Sequence, residues 1–136
     1  MSRPPRLVLA LLTAVLSLGA CGGQDVEVPE QERAMRRGAE LFNQRCSGCH
    51  TLEAANSFGS KPEGELQPGE RTNGPNFNVR RVSKEDALFA IRNGGFSGAI
   101  MPANVVVGRD AQLVAQFLAR YSGRKPKEGG DVAAGG

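Results

Sequence analysis

The chain has 136 residues, a length that suits one small soluble domain, and 17 Lys and Arg stand against 14 Asp and Glu. An isoelectric point near 9.0 does not make it a nucleic-acid binder, because the net charge is only +3 and no basic stripe interleaved with aromatics is present. Three cysteines and one histidine leave little material for a disulfide framework or a metal cluster, so their positions matter more than their number.

Arg3 and Arg6 form a basic n-region, and Leu7 to Leu18 is an apolar run of about a dozen residues, the plan of a secretory signal peptide. The run is too short for a membrane span. Leu18-Gly19-Ala20-Cys21 follows at once. Small residues before a cysteine resemble the lipobox of bacterial lipoproteins, so residues 1–20 are expected to be removed and Cys21 to carry lipid; the alternative is an ordinary signal peptide cut after Ala20. Either plan puts the mature protein outside the cytoplasm, and the first anchors it on the membrane. Loss of residues 1–20, which hold two arginines and no acid, lowers the formal charge to +1. Residues 21–30 contain Gly, Gln, Asp, Glu and Pro with little apolar content and read as a linker. Its nine or so residues after the cysteine span roughly 30 Å when extended.

From Glu30 to Arg45, Met35, Gly38, Ala39, Leu41 and Phe42 recur at three- and four-residue intervals and predict an amphipathic helix. Gly38 in mid-helix costs about 1 kcal/mol relative to Ala, which a close helix crossing would explain. The helix delivers Cys46-Ser47-Gly48-Cys49-His50. Two thiols and an imidazole at C-x-x-C-H spacing are the attachment pattern of a c-type haem: each thiol adds to one vinyl group of the porphyrin, and the histidine ligates iron. A thioredoxin-like redox pair normally opens a helix in a βαβ setting, and no strand-rich pattern surrounds this motif. A structural zinc site needs four ligands, whereas the only further cysteine is Cys21. One lipid and two thioethers account for all three cysteines.

Thr51 to Asn78 then reads as a long loop, implausible in an ordinary small domain and reasonable over a cofactor. Ser83-Lys84-Glu85-Asp86 has the form of a capping box, with Asp in the usual Glu/Gln place, and opens a helix through Leu88, Phe89 and Ile91 that stops at Asn93-Gly94-Gly95. A second loop, Phe96 to Gly108, contains Met101-Pro102. Met1 leaves with the signal peptide and Met35 has the position of a core residue, so Met101 is the candidate sixth ligand; its alternative role is to fill a gap in the core. Arg109 to Ser122 predicts the last helix, with Leu113, Val114, Phe117, Leu118 and Tyr121 on its apolar face and Gly123 closing it. Residues 123–136 are rich in Gly and Lys and read as a disordered tail. No segment alternates as a strand, so the fold class is all-α, with the domain spanning residues 31–122.

With these features in place, the chain resembles a class I monohaem cytochrome c over about Gln31 to Ser122. The resemblance implies a small helical domain wrapped around one covalently attached haem c. It implies that the first and last helices cross at Gly38 and Phe42 against Phe117 and Tyr121. Pro75, in Gly74-Pro75-Asn76, would offer its backbone carbonyl to the proximal histidine's Nδ1–H, and Met101 would be the axial ligand opposite His50. Residues 53–71 depart from the pattern as a polar Gly/Pro-containing stretch longer than many small bacterial members carry. Iron held by His50 and Met101 changes oxidation state with little ligand movement, so the expected activity is transfer of single electrons, with redox proteins, in particular membrane complexes, as partners. Two alternatives stay open: a haem subunit within a larger membrane oxidoreductase, and a gas-binding or peroxidatic haem protein in which Met101 is displaced.

Overall fold

The computed structural model describes residues 25–95 and 101–124. Three helices carry the domain: α1 (Arg33–Cys46), α2 (Lys84–Asn93) and α3 (Gly108–Tyr121). The expected apolar face of α1 is the buried one, with Gly38, Ala39, Leu41 and Phe42 inside. The helix starts three residues later than its periodicity suggests. Glu32 N–H closes a turn on the Pro29 carbonyl at 3.0 Å, and the Glu32 carboxylate, which could have capped the helix, is held by Arg120 Nη2 at 2.8 Å and Tyr121 Oη at 3.3 Å.

Helices α1 and α3 cross where Gly38 sits. A β-carbon there would stand 2.5 Å from the Leu113 carbonyl oxygen and 2.7 Å from Phe117 Cβ, so the expected crossing is observed and glycine alone permits its closeness. Phe42 meets Phe117 at 6.1 Å between ring centroids and Phe77 edge-on at 6.1 Å, favourable offset geometry at the centre of the core.

Ser83 caps α2 as expected: its Oγ accepts the Asp86 N–H at 3.0 Å, and the Asp86 carboxylate takes the Ser83 hydroxyl at 2.7 Å in place of the backbone N–H that would complete a capping box. Gly94, at φ +85°, ends the helix. Ala87 and Ile91 are buried while Phe89 faces solvent. At the end of α3, Gly123 takes φ +65° as the expected left-handed residue after the helix. Its N–H bonds the Phe77 carbonyl, and buried Ser122 accepts Val82 N–H at 3.0 Å, which fastens α3 to the segment that enters α2.

Two features were not expected. A two-residue strand β1 (Thr51–Leu52) pairs antiparallel with β2 (Ser57–Phe58) around a 3₁₀ turn at Glu53–Ala55; strands this short are invisible to an alternation test. The second is that residues 25–28, read as linker, lie on the domain. Val26 and Val28 are buried, Glu27 N–H bonds the Ala54 carbonyl at 3.0 Å, and Arg36 Nη1 donates to the Val28 carbonyl at 3.0 Å. The Gly, Gln, Asp, Glu and Pro around the two valines set the linker reading, whereas the valines' spacing of two puts both on one face of an extended strap. Residues 1–24, including Cys21, and residues 125–136 lie outside the described residues. Among the described residues no helix is long and apolar enough to cross a membrane.

Candidate functional site

Helix α1 ends on Cys46, and the chain turns at once: Cys49 and His50 N–H both bond the Cys46 carbonyl, at 3.2 and 3.0 Å. That turn brings the two thiols and the imidazole to one end of the helix. Both thiols are free and half-buried. Burial, and after it the neighbouring Cys49 thiol, pushes the Cys46 thiol up to about 12. It therefore stays protonated at neutral pH, the opposite of the depressed pKa of a thioredoxin-like nucleophile. Among the described residues no three of His, Cys, Asp and Glu gather as a metal cluster, so a zinc site lacks its ligand set there.

His50 is buried, and its Nδ1 lies 3.3 Å from the Pro75 carbonyl oxygen. A carbonyl only accepts, so Nδ1 carries the proton and Nε2 keeps its lone pair for coordination. Burial lowers the pKa of the ring and the Pro75 bond partly opposes this; the neutral ring that results is the form that binds a metal. The imidazole stacks on Phe77, with centroids 5.0 Å apart and planes 19° apart. On its other edge, a β-carbon on Gly74 would stand 2.6 Å from His50 Nδ1. Pro75 thus meets the ring through the hydrogen bond that the resemblance implied, and Gly74 confines the ring by shape.

Met101 is half-buried and packs on the core. Its carbonyl accepts Gly95 N–H at 3.2 Å, and a β-carbon at Gly94 would stand 2.8 Å from that oxygen. The Met101 backbone is therefore fixed against the end of α2, while Gly98-Ala99-Ile100 before it lies outside the described residues. Met35 packs on the core from α1, the position read for it.

The donor set fits a covalently attached haem: two thiols at the required spacing, a neutral imidazole with Nδ1 tied to Pro75 and Nε2 without a partner among the described residues, and a thioether on the loop after α2. Sequence reading missed Ser57 and Thr72, whose hydroxyls bond the His50 and Cys49 carbonyls at 2.5 and 2.7 Å. Both sit in polar sequence that carries no motif. It missed Phe77 as well, which stands two residues after the proline.

A family model described as cytochrome c oxidase, cbb3-type, subunit III, matches residues 33–118. Among solved structures, the c-type cytochrome SorU from Sinorhizobium meliloti is similar, with 26% sequence identity and a TM-score of 0.53 over 69% of this chain and 97% of that one. No curated protein matches. The match spans α1, the attachment turn, α2 and α3 as far as Leu118, so the chain belongs to this cytochrome c family, as a class I monohaem cytochrome c with covalently bound haem c.

Proposed function

We propose that this haem c protein is an electron carrier whose haem is attached through Cys46 and Cys49 and ligated by His50 and Met101, and that a lipid on Cys21 holds it at the outer face of the cytoplasmic membrane. When bound, the haem supplies the redox centre, which gains or loses one electron. The chain's own residues make that exchange easy: Pro75 fixes the tautomer of His50, Gly74 and Phe77 restrict the ring, and the end of α2 holds the Met101 backbone. A site held from so many sides changes little between oxidation states. The observation that carries the reading is the Nδ1 bond to Pro75, because it leaves the Nε2 lone pair available to a metal.

Lipid anchoring rests on the basic n-region, the apolar run and the small residues before Cys21. Each acyl chain contributes about 0.8 kcal/mol per buried methylene, so two or more anchor firmly. The mature N-terminus and its mass, read from membrane-extracted protein, test this directly.

Optical spectra of the haem-loaded protein test the ligation. Low-spin spectra in both oxidation states, a methionine–iron charge-transfer band in the oxidised form and no response of the reduced form to carbon monoxide are expected. A high-spin spectrum or ready carbon monoxide binding would move the assignment to a gas-binding or peroxidatic protein. The description of the family model favours a second reading, a haem subunit held permanently in a membrane oxidase. Migration with an oxidase after mild detergent extraction would decide for the subunit.

A further inference from the structure

Residues 53–73 form the stretch to which no motif gives a role, and in the structure it divides into a neck and a tip. The neck approaches the attachment turn. Ser57, 1% exposed, donates its hydroxyl to the His50 carbonyl at 2.5 Å. Thr72 donates its hydroxyl to the Cys49 carbonyl at 2.7 Å, and Gly74 N–H fills the second acceptor position of the same oxygen at 2.7 Å. The two sides of the neck touch at Gly59, φ +72°, where a β-carbon would stand 2.8 Å from Thr72 Cβ and Cγ2. Just beyond, Lys61 Nζ meets Glu70 Oε1 at 2.6 Å, and Asn76 Nδ2 donates to the Glu70 carbonyl at 2.8 Å. The tip, residues 62–69, is exposed apart from half-buried Leu66, and its hydrogen bonds are local.

The distances decide which contacts hold the histidine. The bond from His50 Nδ1 to Pro75 is 3.3 Å, beyond the usual range for N–H···O, whereas the hydroxyl bonds of Ser57 and Thr72, at 2.5 and 2.7 Å, lie within the range for O–H···O, the first at its short end. A long bond at the ring fixes the tautomer but restrains orientation weakly. Gly74 and Phe77 confine the ring by shape, and the backbone that carries it supplies the rest, with its two consecutive carbonyls held by Ser57 and Thr72.

We propose that Ser57 and Thr72 are positioning residues for the proximal ligand, acting through the Cys49 and His50 carbonyls, and that the neck of this loop sets the geometry of the haem iron while the tip does not. The proposal rests on His50 as axial ligand. Partners outside the ligand sphere orient the ligand and set its basicity, and hydrogen bonding of this kind is one of the levers on haem potential. A turn whose carbonyls are both satisfied from the loop also shifts less when the iron changes charge.

The test uses the haem-loaded protein with Ser57→Ala and Thr72→Val, which remove the hydroxyls at nearly constant volume, Thr72→Ser as the conservative restoration, and a tip control in which Glu63, Glu65 and Leu66 become serine. The readouts are the electron paramagnetic resonance of the oxidised low-spin haem, the midpoint potential and the electron self-exchange rate. Loss of either hydroxyl is expected to broaden the low-spin signal, displace the midpoint and slow self-exchange several-fold. Thr72→Ser and the tip control should match the parent. If Ser57→Ala does not mature, half-buried Thr72 carries the test alone. Hydroxyl-less proteins that melt earlier yet keep the parent's resonance, potential and exchange rate would reduce both residues to structural supports and overturn the proposal. Equal displacement by the tip control would overturn it as well. A parent protein without a low-spin signal would instead overturn the ligation reading beneath it, and that is seen before any variant is compared.

Discussion

Glu53, three residues beyond His50, accepts Asn78 Nδ2 at 3.1 Å while its own N–H bonds Asn78 Oδ1 at 2.9 Å. Burial, and after it the charge of Glu27, raises the carboxyl's pKa above its ordinary value. The folded chain therefore binds this proton more tightly than the unfolded chain. The group's contribution to stability grows as pH falls through the raised value and is absent above it. Glu53→Gln keeps an acceptor for Asn78 and discards the charge, so the thermal midpoint should rise at pH 7. The advantage should vanish below about pH 4, where an unperturbed glutamate is itself protonated. Melting curves of parent and variant across that range check this, and a parallel offset at every pH would show that charge is not the cause. Nothing in the sequence marks Glu53, since its pKa depends on burial, and after it on Glu27 folding back across 26 residues of chain. By contrast Cys46, Cys49 and His50 could be read at sight, because their chemistry is fixed by spacing along a single turn.

The helices were legible because their apolar faces follow a 3.6-residue period and their ends carry recognisable chemistry. Ser83 caps the N–H of Asp86 at the start of α2, and Gly123 takes the left-handed conformation after α3. The crossing of α1 and α3 was legible from one unfavourable residue, since Gly38 makes sense in mid-helix only if something lies against it. Gly38→Ala tests that reading. The added methyl would press on the Leu113 carbonyl, a backbone atom that cannot swing aside, so the helices must part. Overpacking of this kind destabilises by about 1–3 kcal/mol. Urea unfolding of the haem-loaded variant should show a lowered midpoint with unchanged slope. An unchanged midpoint would mean that the helices cross less closely than the structure shows. The pairing of β1 with β2 escaped notice for the opposite reason: two residues per strand offer no period, and the register is set by hydrogen bonds rather than by side-chain pattern.

At the scale of the whole molecule, the strap of residues 25–28 changes how the domain is joined to whatever precedes it. A fully free segment after Cys21 would span roughly 30 Å, whereas docking from Asp25 onward leaves about three residues, or roughly 10 Å at most. The strap is held by two buried valines, the Glu27 bond to Ala54 and the Arg36 bond to Val28. It runs back along α1, from Ala54, beside which Asn43 bonds the Ala55 carbonyl at 2.8 Å, to Arg36 in the second turn. The chain therefore enters the domain near the haem-attachment end of α1, and an anchor at Cys21 would keep that end close to the membrane. The composition of residues 21–30 hid this, because the strap's burial comes from only two side chains, while Gly, Gln, Asp, Glu and Pro make up seven of the ten residues. Replacing both Val26 and Val28 by serine removes most of what docks it. With about 1.5 kcal/mol or more for each fully buried valine, the pair should lower the unfolding free energy of the haem-loaded protein by about 2–4 kcal/mol. It should also release the Glu27 amide to fast hydrogen exchange while α1 stays protected. Fast exchange at Glu27 in the parent would show that the strap is already loose. In that case the full 30 Å of reach would be restored, and the domain would be free to carry its electron further from the surface.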